Sequence, residues 1–367
     1  MRTHLRIDLD QIASNFRGLS AAAGAEVTVV AIVKANAYGH GAVPVAKQLE
    51  ADGCKSFAVA TLDEAVELRN AGISSQILLL YGFLPGDEAE VARRAITPVL
   101  TSLEMMDRWA SQGREHGKRL ACHVKFNTGM SRAGLDDRDP DSIATTASSY
   151  IEVEGLSTHL ASAEDFEDPA AEEQTARFSS VRERLAAKGV EPPVIHIANS
   201  AAIAWRPAIR FTMARTGLAL YGYQPKPVGL SGPPSYQCAP ALEWRAQILN
   251  IRNIQAGEKI GYNGTFTADT PMRVALLGVG YGDGFRRELS NNGDVLVRNA
   301  RCPIVGRVSM DLTTVDVTAV GDARIGDEAT LLGGGIGLHE FADRCGTVSY
   351  EILCGISSRV KRVYASS

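Results

Sequence analysis

The sequence predicts an α/β protein, an N-terminal TIM-like (β/α)8 barrel followed by a mostly-β domain. Three observations lead there. Strand-like and helix-like segments alternate through roughly the first two thirds of the chain, giving eight strand candidates. Eight such units within about 200 residues suit a closed barrel better than a long doubly wound sheet. The segment Pro225–Pro234, rich in proline and glycine, then ends the alternation, and short apolar runs punctuated by glycine and aspartate follow it.

The opening run Leu5–Leu9 reads as a strand and is expected to pair with the second domain, so residues 1–10 are grouped with it. The barrel, residues 11–224, takes its strands from Val27–Val33, Phe57–Ala60, Ile77–Leu80, Ile96–Leu100, Leu120–Phe126, Val153–Thr158, Val194–Ile197 and Thr212–Ala214. The first of them, Val27–Val33, is a continuous, β-branched apolar run of the kind that marks a strand covered on both faces. Between them the apolar spacing predicts helices at Ala42–Ala51, Leu62–Ala71, Asp87–Arg94, Leu103–His116, Ser142–Ser149, Ala171–Lys188 and Ser200–Trp205. Thr61-Leu-Asp-Glu64 and Thr101-Ser-Leu-Glu104 fit the capping box, in which hydroxyl and carboxylate satisfy free amides reciprocally. Gly53, Gly72 and Gly189 close helices. After the linker, residues 225–234, the second domain (235–367) offers strands at Ala246–Ile251, Val274–Val279, Val295–Val297, Thr313–Val317 and Ala329–Leu332. No fixed-period repeat or low-complexity segment is present.

Composition narrows the function classes. The chain has 367 residues, 45% hydrophobic, with a net charge of −4. Without a basic excess, nucleic acid is not an expected partner. No apolar run approaches the length of a membrane span, and the N-terminus lacks a secretory h-region, which points to the cytoplasm. Cys54, Cys122, Cys238, Cys302, Cys345 and Cys354 form no C-x-x-C pair and read as reduced core thiols. The seven histidines lack ligand spacing, so no metal site is expected.

The chemistry collects at strand ends. Val27–Val33 is a buried apolar run that stops at Lys34, before Ala-Asn-Ala-Tyr38-Gly-His-Gly41 turns the chain toward a helix. A lysine there is costly unless its amine is used, and a neutral amine in a dry pocket forms Schiff bases. In a (β/α)8 barrel the carboxyl ends of the strands share one rim. Lys125, Asn127 and Arg132 follow the fifth strand, His159 the sixth, Asn199 and Ser200 the seventh, and Arg215 and Gly217 the eighth. Each alone reads as a solvated or structural group. Their convergence favours an anionic ligand and depressed lysine pKa values. Met213-Ala-Arg215-Thr-Gly217-Leu-Ala-Leu-Tyr221-Gly222 resembles a phosphate loop, with Ser200 close by as a further hydroxyl. Phosphate and Schiff-base lysine in one barrel point to pyridoxal phosphate. Gly278-Val-Gly280-Tyr-Gly282-Asp-Gly284 has the wrong spacing for a dinucleotide fingerprint.

Over nearly its whole length the chain resembles the alanine racemases. The motifs are Ala31-Ile-Val-Lys34-Ala-Asn-Ala-Tyr38-Gly-His-Gly, Lys125-Phe-Asn-Thr-Gly-Met-Ser-Arg132-Ala-Gly134, Thr158-His159-Leu-Ala-Ser-Ala163-Glu, His196-Ile-Ala-Asn199-Ser200 and Arg215-Thr-Gly217-Leu-Ala-Leu-Tyr221-Gly222. In the second domain Gly261-Tyr262-Asn-Gly-Thr-Phe, Gly280-Tyr281-Gly-Asp-Gly and Gly306-Arg-Val-Ser-Met310-Asp311 are similar too. The resemblance implies interconversion of L- and D-alanine with pyridoxal 5'-phosphate, supplying D-alanine for peptidoglycan, in a homodimer with shared active sites. It implies that Lys34 holds the cofactor and acts as base on one face. Tyr262 of the other subunit acts on the opposite face, because inverting a stereocentre by proton exchange needs two bases. A phenol has a reference pKa near 10 and serves as base only beside cations. By the same resemblance Tyr38, His159, Asn199, Ser200, Gly217 and Leu218 hold the cofactor, and His159 links Tyr262 to Arg215. Arg215 faces the ring nitrogen, Arg132 bonds the ring hydroxyl and orients the substrate carboxylate, and Met310 lines the substrate side.

Two positions depart from the family pattern. Asn127 stands where an aspartate is usual, and Ser358 where many members carry a tyrosine on the phosphate. Some relatives carry a carbamate at the position of Lys125, which would pair with Arg132. A racemase of wider range, accepting serine, is the nearest alternative, motivated by Ser358. A barrel decarboxylase of basic amino acids would need a glutamate in place of Arg215. A non-enzymatic pyridoxal-phosphate carrier would lack the second domain that bears Tyr262.

Overall fold

A computed structural model describes residues 1–137, 143 and 150–365. The chain divides into two units, one made of Gln11–Ala37 and Ala42–Ala239, the other of Met1–Asp10, Tyr38–Gly41 and Pro240–Ser367.

The chain opens with strand β1 (Thr3–Asp8), followed at once by a helix over Leu9–Ala23. The first unit is built on β2 (Thr28–Ile32), β3 (Ser56–Val59), β4 (Gln76–Leu79), β5 (Thr97–Leu100), β6 (Leu120–Asn127), β8 (Ile151–Ser157), β9 (Val194–His196) and β10 (Met213–Thr216). These eight pair in parallel in the order β10-β2-β3-β4-β5-β6-β8-β9, and the two-residue β7 (Leu135–Asp136) adds to β6. The ring closes between β9 and β10 through the Arg215 N–H, which donates to the Ala198 carbonyl at 2.9 Å. This is the expected (β/α)8 barrel. The strands are mostly buried, β3 and β5 at every position. Barrel interior covers one side and helices the other, so polar residues they carry, such as His123 and Lys125 on β6, are buried as well.

The helices lie where the apolar spacing put them, within one or two residues. The Thr61 box forms as expected: Thr61 Oγ1 accepts the Glu64 N–H at 3.3 Å and Glu64 Oε2 accepts the Thr61 N–H at 3.2 Å. The second box does not form. Ser102, rather than Thr101, caps the helix over Leu103–Glu115 by accepting the Met105 N–H at 3.2 Å. Glu104 is left free to pair with Arg108 one turn on. Gly53, Gly72 and Gly189 all take positive φ after their helices. The expected helix Ser142–Ser149 lies, apart from Ile143, outside the described residues.

The second unit is mostly β. Its long strand β11 (Leu242–Ile254) pairs antiparallel with β1, β14 (Met272–Leu277) and β18 (Glu328–Leu332). The opening strand β1 also pairs in parallel with β19 (Lys361–Ala365). A hairpin of β12 (Lys259–Ile260) and β13 (Phe266–Thr267) stands apart and carries Tyr262 at its tip. Beneath it Ile260, Val274 and Val305 form a small buried cluster, against which Phe266 and Met272 pack. The sheet is completed by β15 (Asp294–Val297), β16 (Ala300–Pro303) and β17 (Thr313–Asp316). Two helices not expected from the sequence, Leu338–Arg344 and Ser349–Cys354, follow β18. None of the six cysteines is in a disulfide; Cys54, Cys122, Cys302 and Cys345 are buried, but Cys238 is half-buried and Cys354 exposed, so the thiols are not all in the core.

Candidate active site

The barrel brings together Lys34, Lys125, Arg132, His159, Ser200, Arg215 and Gly217, all at or beyond the carboxyl ends of its strands. The chain leaves β2 through an unexpected turn. Gly39 and Gly41 take positive φ in it, and so do Ala35, Asn36, Ala37 and Tyr38, all left-handed with φ between 49° and 53°. Each non-glycine residue so placed costs about 1–2 kcal/mol. Local bonds hold the turn. The Ala35 N–H donates to Glu64 Oε1 at 2.7 Å, the Ala42 N–H to Asn36 Oδ1 at 2.8 Å, and the Ala37 N–H to the Val33 carbonyl at 2.8 Å. The capping-box glutamate therefore also braces the peptide that follows Lys34.

The loop after β6 is shaped by Asn127, whose Oδ1 accepts the Ser131 N–H at 2.8 Å and, more weakly, the Gly129 N–H at 3.4 Å. It then doubles back so tightly that a Cβ on Gly134 (φ +131°) would meet the Asn127 nitrogen at 2.6 Å. Arg132 is delivered by this fold-back. Its Cζ, Lys34 Nζ and Lys125 Nζ lie 5.9, 5.7 and 5.6 Å from the ring centre of Tyr81, so one aromatic ring gathers three cations. Tyr81, just past β4, was missed in the sequence, because a lone tyrosine carries no motif. The like charges have the expected effect on Lys125. Burial first, then Arg215, Arg132 and Lys34, pull its ammonium down to about 8.

Arg215, 8% exposed, is the centre of the site. Its Nη1 donates to His196 Nδ1 at 2.7 Å and to the His196 carbonyl at 2.8 Å. Its Nη2 donates to His159 Nδ1 at 3.1 Å and to the Thr158 carbonyl at 3.0 Å. None of these partners is a carboxylate. Burial lowers the guanidinium to about 10, so it stays charged at neutral pH. Burial and that charge push His159 down to about 2 and His196 well below the usual histidine range. Both rings are neutral, with an unprotonated Nδ1 toward Arg215, because a guanidinium can only donate.

At the end of β10 the Gly217 N–H donates to Ser200 Oγ at 3.1 Å, and Thr216 Oγ1 lies 3.3 Å from the same hydroxyl. Asn199 Oδ1 caps the short helix over Ser200–Trp205 by accepting the Ala202 N–H at 3.0 Å. Tyr221 ties this segment to β2 by donating to the Ile32 carbonyl at 2.7 Å. Buried hydroxyls and amides at one strand end, with lysines and arginines at the rim, fit a phosphate-bearing aldehyde cofactor.

Tyr38, Tyr262 and Met310 belong to the second unit. Tyr38 meets the Tyr350 ring edge-on at 5.7 Å. Tyr262 sits between Gly261 (φ +76°) and Asn263 (φ +62°) and is 71% exposed; Met310 is 53% exposed. The glycines that resembled a dinucleotide fingerprint serve this loop. The Tyr281 and Gly282 N–H groups donate to the Ser309 and Met310 carbonyls, and a Cβ on Gly280 would strike both.

Known proteins match this arrangement along its whole length. The family described as alanine racemase matches through its N-terminal domain over residues 7–225 and its C-terminal domain over residues 241–364. The chain belongs to the alanine racemase family. This is a family of pyridoxal phosphate-dependent isomerases. The alanine racemase of Symbiobacterium thermophilum is 39% identical, with 99% of this chain and 97% of that protein covered. That of Sorangium cellulosum is also 39% identical, covering 98% and 96%. Among solved alanine racemases, one from Bartonella henselae with covalently bound pyridoxal phosphate superposes with a TM-score of 0.90 at 31% identity, covering all of both chains. One from Bacillus anthracis with bound L-Ala-P gives 0.92 at 33%, covering 100% and 95%. Among the described residues, no helix is long and apolar enough to cross a membrane.

Proposed function

We propose that this chain interconverts L- and D-alanine as a homodimer, each active site taking Lys34 from one subunit and Tyr262 from the other. The observation that supports this best is Arg215, a buried donor-only cation held by two neutral histidines. When bound, pyridoxal 5'-phosphate draws electrons from the substrate's Cα–H bond and makes that proton removable. Arg215 would temper that withdrawal: a guanidinium only donates, so a ring nitrogen bonded to it would stay bare and uncharged. The weaker electron withdrawal would favour return of the proton over transamination.

The other residues bind, orient and move protons. Lys34 Nζ holds the cofactor covalently and exchanges the Cα proton on one face. The Tyr262 hydroxyl exchanges it on the other, and His159, which accepts from Arg215 through Nδ1, would steady the phenolate by donating its Nε2–H. Ser200, Gly217 and Leu218 hold the phosphate, Tyr38 adds a phenol, and Arg132 orients the substrate carboxylate with Met310 across from it. Asn199 contributes by shaping the turn that presents Ser200. A phenol 71% exposed in the single chain is a poor place for proton transfer, and a covering partner subunit would exclude that water. Cysteines without disulfides suit a reducing cytoplasm, where D-alanine for peptidoglycan would be made.

The test is direct. The purified protein with pyridoxal phosphate should absorb as a covalent lysine adduct that borohydride bleaches, and should lose optical rotation on L- and D-alanine. Lys34→Ala should lower kcat by at least about a thousandfold, and Tyr262→Phe by at least about a hundredfold. A colourless protein, or full-rate racemisation by Lys34→Ala, would end this reading. Restored growth of a D-alanine auxotroph supports the peptidoglycan role, and failure to restore it opposes that role.

A further inference from the structure

Below Arg215 the barrel interior holds a third histidine, which none of the roles above uses. His123 is fully buried, on the same face of β6 as Lys125. Its Nδ1 lies 2.8 Å from His196 Nε2, with ring centres 4.9 Å apart. β6 and β9 are not neighbours, so this contact crosses the interior. Gly155, on the intervening β8, makes room: a Cβ there would meet His123 Nδ1 at 2.6 Å. A polar ring so placed, with a glycine opposite it, is costly unless the hydrogen bond matters.

The direction of the chain of bonds follows from donor counts alone. Arg215 only donates, so His196 Nδ1 accepts and its proton sits on Nε2. That N–H donates to His123 Nδ1, which must be bare, so His123 carries its proton on Nε2. The chain ends there, for His123 Nε2 meets no hydrogen-bond partner among the described residues. Without His123, the His196 Nε2–H would be buried with nothing to accept it. The ring would then gain by tilting or changing tautomer, and either change removes an acceptor from Arg215. Among the described residues, the charged groups that act on His196 besides His123 are Arg215 and Lys125, both cations, so neither can replace that acceptor.

We propose that His123 is a positioning residue for racemisation: through His196 it holds the tautomer and ring plane that fix the Arg215 guanidinium at the barrel mouth. The proposal rests on the racemase reading for its kinetic consequence, but not for its hydrogen-bond chain.

Nitrogen-15 labelling of the histidines tests the chain in the wild-type protein. Expected are bare Nδ1 and protonated Nε2 in both His123 and His196, with a coupling across the bond between them. A protonated His196 Nδ1 overturns the proposal. The kinetic arm compares His123→Leu, which fills the space without an acceptor, with His123→Asn, whose Oδ1 can stand in for Nδ1. His123→Leu should lower kcat about tenfold or more, leave KM within about threefold, and raise the share of turnovers lost to transamination. His123→Asn should recover most of the rate. Full activity in His123→Leu, or equal losses in both variants with normal His196 spectra, would reduce His123 to packing. If His123→Leu does not fold, the wild-type spectra and His123→Asn decide. A wild-type protein that racemises nothing defeats the functional reading and is distinguished by the spectra, which need no turnover.

Discussion

Asn127 keeps the shape of a loop while leaving out its charge. Its carboxamide oxygen accepts the Ser131 N–H as an aspartate would, so the segment delivering Arg132 folds normally. What is missing is a negative group near a crowd of cations. Asn127→Asp should therefore keep the loop and raise Lys125 from about 8 toward its ordinary value, read by lysine side-chain NMR. A Lys125 titration that does not move would show that the two groups are insulated. Asn127→Ala should instead lose the loop bonds and lower kcat/KM about tenfold through a displaced Arg132. Ser358, exposed in this chain, makes a second residue-level test. Turnover of L-serine is expected, and Ser358→Tyr should reduce it more than turnover of alanine. Serine rates below detection in the wild type would discard the wider substrate range.

At the scale of elements, legibility tracked how local the cause was. The eight barrel strands could be read because burial on both faces writes a continuous apolar run. The helix over Leu9–Ala23 also left a signal, Ile12, Phe16, Leu19 and Ala23 on one buried stripe, but it was overlooked beside the strand before it. Strands β16 and β19 left none. Arg301, Lys361 and Arg362 interrupt them, and a short or edge strand owes its existence to its neighbour rather than to its own residues. The left-handed turn after Lys34 was likewise illegible, since Glu64, 29 residues away, helps to hold it. For the site, the rim residues were legible as strand ends, whereas Tyr81 and the His123 contact depend on barrel closure. Two element-level outcomes follow. Thr61→Ala should cost about 1 kcal/mol in denaturant unfolding by loss of the cap. Gly134→Ala should cost about 2 kcal/mol or more, because the left-handed φ and the 2.6 Å approach are both against a side chain.

Over the whole molecule, the buried neutral imidazoles set an acid limit. His123 is held at about 4 and His159 at about 2, against 6.5 for an unfolded histidine, with burial the first cause in each. The unfolded chain therefore binds more protons than the native one as pH falls below 6.5. Stability present above 6.5 is lost on the way down, by about 2–3 kcal/mol for His123 alone once pH 4 is reached. Urea midpoints of the wild type should fall across that window, and His123→Asn should flatten the slope; equal slopes would show the ring does not titrate there. A last consequence concerns Arg2. Asp283, fully buried, accepts two hydrogen bonds from Arg2, at 2.8 and 2.9 Å, with Arg359 3.4 Å away. An affinity tag that dislodged residue two, or a protease that clipped it, would strand most of a carboxylate's counter-charge. The damage would surface as a shortened shelf life of the purified enzyme, far from any change in its chemistry.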